Sequence, residues 1–193
     1  MSSLVTVCLP AQSPDPISES RIRALARQAA RDAKGDATEL VLVLDHRVRE
    51  RWGDFESFPV TIVRDEDLLV AVTAPYLSFR NSLMDMLRSG RPIDQAVWTN
   101  MVVVGITPRR LGAADIESVV VLRDARPVAP IKSALQPTRF SNGAGQEGVI
   151  HAGEIGFPPS AFAPGSTVLL TLVPRGGNPM IHAFTDDELR GLR

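Results

Sequence analysis

From Val97 onward the chain repeats one pattern: a short β-branched run, then proline or glycine. Val97–Thr107 is stopped by Pro108, Ile116–Leu122 by the turn at Asp124–Pro127, and Thr167–Val173 by Pro174-Arg175-Gly176-Gly177. Runs of this length and punctuation predict an antiparallel β-sandwich over residues 97–184. Val97–Thr107 is apolar on both alternating sets of positions, which predicts a central strand covered on both sides. Thr167–Val173 and Pro179–Phe184 read as a hairpin across Arg175–Asn178. Val128–Ala134 and Gly148–Ala152 are further strands, and the glycine-rich stretch 137–148 reads as a long β–β connection.

The front half is mixed. Ile22, Leu25, Ala26, Ala29 and Ala33 recur at helical spacing behind Asp15-Pro16, predicting a helix over 16–34. Tyr76, Phe79, Leu83, Met86 and Leu87 predict a second over 75–89. Leu40–Leu44 is an unbroken apolar run and reads as a buried strand. Val60–Val63 and Leu68–Thr73 flank the acidic turn Asp65-Glu66-Asp67 as a hairpin. Thr185 with Glu188 three residues on is a capping box, which places a short helix over 186–191. The expected fold class is β-rich α+β, the sandwich being augmented by N-terminal strands and helices. A single domain over 1–193 is expected, with a composition shift that divides it into 1–94 and 95–193.

Composition removes several function classes. The formal net charge of the 193-residue chain is −1, so no overall field gathers nucleic acid or an anionic membrane. Arginine supplies nearly all the positive charge (Lys34 and Lys132 are the two lysines), a bias that high-GC bacterial coding produces unaided. The arginines of the first helix have no aromatic residues between them to stack bases. No apolar run reaches the roughly 20 residues needed to cross a bilayer as a helix. The single cysteine, Cys8, rules out an intramolecular disulfide. Residues 4–12 have the short apolar core and polar exit of an export-signal remnant, which leans towards an exported, periplasmic protein. The competing reading is a first strand closed by Pro10.

Candidate chemistry is sparse. His46, His151 and His182 lack the close spacing of a metal motif, so no metal and no cofactor is expected. Asp45 and His46 at the end of the Leu40–Leu44 run, with His182, are the candidate catalytic residues. A carboxylate there would orient an imidazole for acid–base work. Gly143-Ala144-Gly145 lacks the residues of a phosphate loop. Trp52, Phe55 and Phe58 stand among arginines and acids, the composition of a partner-binding anchor. Two functions follow. The first is a non-catalytic binding or assembly module acting on a protein partner, in the cell envelope. The second is a small hydrolase or metal-dependent enzyme built on Asp45 and His46.

Overall fold

The structure, a computed structural model, describes residues 19–34, 36–52, 59–78, 80–81, 101–141 and 145–192. Packing groups the chain into two compact units, residues 1–55 and 56–193.

The first unit holds a helical hairpin, α1 (Glu19–Asp32) and α2 (Ala37–Trp52). The apolar run 40–44, read from sequence as a strand, lies inside α2. A strand would bury positions 40, 42 and 44 together; instead Leu40, Val41 and Leu44 are buried and Leu42 is 60 % exposed. Local chemistry explains the correction. Asp36 Oδ1 accepts the backbone N–H groups of Thr38 at 2.8 Å and Glu39 at 2.9 Å, which caps the helix before the apolar run begins. Among the described side chains of α1 the buried ones are Ala26 and Ala29, with Ala33 buried just past its end, and this small-residue stripe lies on a helix in contact with α2. Arg47 of α2 forms an ion pair with Asp32 of α1.

The second unit is β-rich. Its first sheet holds β1 (Val60–Arg64), β2 (Leu68–Thr73), β3 (Val102–Pro108), β6 (Lys132–Ser133), β7 (Gln136–Ser141) and β8 (Glu147–Phe157). Its second holds β4 (Ile116–Arg123), β5 (Arg126–Val128), β9 (Val168–Pro174) and β10 (Met180–Ala183). The strand orders are β1-β2-β3-β8-β6, with β7 also on β8, and β10-β9-β4-β5. Every recorded pairing is antiparallel. The expected α+β, strand-rich class is what the chain adopts.

Turn chemistry fixes the hairpins. Asp65 Oδ1 accepts the N–H groups of Asp67 (2.8 Å) and Leu68 (2.6 Å), closing β1 onto β2. Asp124 and Ala125 both have positive φ (50° and 61°), and Arg123 pairs with Arg126 around them. That is a two-residue hairpin whose twist matches its strands. The run 128–134 is not one strand. Pro130 has no N–H to donate, and the chain leaves β5 in one sheet and enters β6 in the other. The stretch 137–148 is likewise not a plain connection. Residues 136–141 pair with 147–152 as a ribbon, so the loop shrinks to the few residues between them. Residues 75–78, 80 and 81 are helical, and the rest of the helix expected over 75–89 lies outside the described residues.

Both sheets contribute to one core. Val70, Val72, Val104, Val121, Leu170, Leu172 and Phe157 are fully buried in it. Val102, Val103 and Val104 are all buried, as expected of a central strand between β2 and β8. A 3-10 turn (Pro159–Phe162) and a final helix, α3 (Asp186–Gly191), close one side, with Leu189 fully buried. The capping box at Thr185 and Glu188 is present as expected. Among the described residues no helix is long and apolar enough to cross a membrane.

Candidate functional site: the outer face of the four-stranded sheet

The sequence candidates are dispersed. Asp45 and His46 sit on α2, where successive side chains point about 100° apart. His46 is exposed, and its Nε2 lies 3.3 Å from Glu50 one turn on, an ordinary surface pair. His182 is on β10, facing the inner side of its sheet. Its ring packs edge-on against Phe184 at 4.8 Å, and its Nε2 lies 3.2 Å from Glu188 Oε1 without hydrogen-bond alignment. Burial raises the Glu188 carboxyl pKa, but the N–H and hydroxyl of Thr185, with His182, outweigh it and hold the carboxyl below its ordinary range. Glu188 is thereby committed to capping. Trp52 ends α2, and Phe55 and Phe58 lie outside the described residues. Among the described residues no group of three or more His, Cys, Asp or Glu side chains is placed to hold a metal ion.

The histidine held by a hydrogen-bonded carboxylate is one the sequence did not favour. His151 of β8 donates its backbone N–H to Asp115 Oδ1 at 2.7 Å, and its Nδ1 lies 2.8 Å from the same oxygen. Arg175, just past β9, donates its own N–H to the Asp115 carbonyl at 2.8 Å, and its Nε approaches Glu117 at 2.6 Å. Asp115 precedes β4, so this cluster ties the end of one sheet to the other. It resembles a catalytic dyad in its geometry, yet the carboxylate is spent on a backbone N–H that no strand partner satisfies. Burial raises the Asp115 pKa; the bonds from His151 and the charges of His151 and Arg175 outweigh this and leave it below its ordinary value. A carboxylate with a depressed folded pKa stabilises above its unfolded value, 3.8, and that contribution is lost as pH falls through the folded value. Urea titrations between about pH 6 and about pH 3 should therefore show Asp115→Asn converging on the parent protein at the acid end. Equal separation at both ends would contradict an ionic tie.

The unusual surface is the other side of the four-stranded sheet. Cross-strand register sets which side chains share it. One row is Val120–Thr171–Ile181, the next Leu122–Leu169–Ala183 with Pro127, and the third Ser118–Val173. The residues between them (Val119, Val121, Leu170, Leu172) fill the core. An antiparallel sheet with one face in water ordinarily carries polar side chains there. Here none of the three rows contains a charge, Ile181 is 67 % exposed and Val120 39 %. Charges gather at the ends of the strands, where Arg175 pairs with Glu117 at 2.6 Å and Arg123 with Asp124 at 3.6 Å.

Strand spacing gives this face a footprint of roughly 300 Å². That is the size of the largest apolar patch on a typical monomer, a patch that is often functional. The sequence held a usable signal. Residues 119–122 and 168–173 are apolar on both alternating sets, apart from Thr171, as residues 102–104 are. In a central strand both faces are covered within the sandwich; here the second set is left outside.

No protein-family model matches the chain, and neither a curated protein nor a solved structure matches it.

Proposed function

We propose that this protein is a non-catalytic binding or assembly module that acts through protein–protein contacts, with the outer face of the β10-β9-β4-β5 sheet as its contact surface. The observation that supports this reading is the uncharged cross-strand pattern, with Val120 on an inner strand and Ile181 on the edge strand exposed in its middle row. Leaving such surface in water costs about 25 cal/mol for each Å² that a partner would cover. The footprint is well under the roughly 800 Å² per partner of a standard stable interface. The contact is therefore transient, or it continues onto the flanks of the sheet. Placement in the cell envelope rests on the apolar stretch at residues 4–12. The hydrolase alternative has less support, because His46 is exposed on a helix with Glu50 as its neighbour. A photo-reactive residue at position 181 or 120 tests the proposal in the producing cells. It should yield discrete protein adducts, whereas the same residue at exposed Thr138 on β7 should not.

A further inference from the structure

Three stretches of the β-rich unit border an open cleft of about 660 Å³. They are the β1–β2 turn, the β3–β4 loop, and the end of β7 (Phe140 and Ser141) with Gln146 just before β8. The volume lies within the range of small-ligand sites. Its walls combine two apolar side chains, Leu111 and Phe140, with the ionic groups of Asp67, Arg109 and Arg110. The backbone holds these groups in place. The Arg109 N–H donates to the Asp67 carbonyl at 2.6 Å, which locks the loop to the turn. Leu111 lies over Gly148, where an added Cβ would stand 2.6 Å from its Cδ2, so the leucine is seated by the absence of a side chain on β8.

The charges divide unequally. Arg110 is engaged by Glu66 at 2.8 Å. Among the described residues, no ion-pair partner stands against the Arg109 guanidinium or the Asp67 carboxylate. One cation and one anion thus face the same concavity beside an aromatic ring and a leucine. A purely anionic ligand would meet Asp67, and a purely cationic one would meet Arg109. The geometry points to a site for a short peptide with free termini: its carboxylate on Arg109, its ammonium on Asp67, and an apolar side chain against Leu111 and Phe140. This site is separate from the outer face of the other sheet, so the cross-linking result at Ile181 bears on neither its success nor its failure.

The dipeptide Leu-Leu, its N-acetyl form and its C-terminal amide, titrated into the full chain and followed by calorimetry or by amide NMR shifts, form the test. Leu-Leu should bind saturably, and capping either terminus should weaken it about tenfold, the loss of one charge-assisted contact. In Arg109→Met the free and amidated peptides should bind alike. In Asp67→Asn the free and acetylated peptides should bind alike. Unchanged thermal midpoints would show that both variants are folded, and the capped series on the unaltered protein needs no variant at all. The proposal is overturned if Leu-Leu gives no saturable signal. It is also overturned if capping makes no difference to the parent protein, or costs as much in the variants as in the parent.

Discussion

Gly153→Ala should lower the thermal midpoint by about 6–12 °C, the equivalent of about 3 kcal/mol in a chain of this size. Gly153 stands where β8 leaves its partner β7, paired over 147–152, and joins β3 over 153–157. Its φ of +137° is a conformation that side-chain-bearing residues rarely adopt, and an added Cβ would lie 2.3 Å from the Ala134 carbonyl oxygen. Neither obstacle can yield cheaply. Ala134 is held in place next to β8 by its own N–H, which donates to Glu154 O at 2.8 Å. Backbone strain alone accounts for about 1–3 kcal/mol, and the backbone clash adds to it. Gly165 provides the control, with a φ of +81° and nothing within 4 Å of an added Cβ. Gly165→Ala should cost only the strain, about 1 kcal/mol. Equal shifts in the two variants, read by circular dichroism, would show that crowding against Ala134 is not what requires glycine at 153.

Phe157→Ala should cost about 3–5 kcal/mol, the largest loss expected of any single core truncation here. The side chain is fully buried. Its ring meets Phe162 edge-on at 6.3 Å, and Phe162 meets Phe184 edge-on at 5.4 Å. The three rings connect β8 of one sheet, the 3-10 turn, and the residue that follows β10 in the other. Removing the first leaves a cavity that β-strands cannot close by shifting one at a time. Phe157→Leu keeps much of the volume and should lose much less, about 1.5 kcal/mol. Guanidinium unfolding of the two variants measures the difference. Near-equal losses would mean that ring packing contributes little. The effect reaches the proposed contact surface, because Phe184 anchors the end of the strand that carries Ile181.

Features encoded within a few residues were legible in the sequence. The β1–β2 hairpin follows from Asp65 in its turn, the β9–β10 hairpin from Arg175–Asn178, and α3 from Thr185 with Glu188. Features decided by distant partners were not. Leu40–Leu44 satisfies a strand or a helix equally well by itself, and the choice falls to the Asp36 cap and to small residues on α1. Stretch 137–148 has the composition of a loop, and only its pairing along β8 makes much of it strand. The site divides in the same way. The apolar character of Val120, Leu122, Leu169 and Ile181 is plain in the chain, but which of them face outward depends on register. The irregularity between Ile116 and Ser118 sets that register for β4. Asp115 and His151 were missed as a pair because 36 positions separate them.

The contact surface itself is tested most directly by cross-linking in the producing cells, with a photo-reactive side chain placed in turn at positions 120, 181 and 138. The first two lie in one cross-strand row of the apolar face, and Thr138 is an exposed residue of the other sheet. The expected result is adducts of the same mass from positions 120 and 181, absent from position 138, and lost when a second substitution, Leu169→Lys, puts a charge into the next row. Adducts from all three positions alike, or from position 138 alone, would contradict a binding module that works through this face.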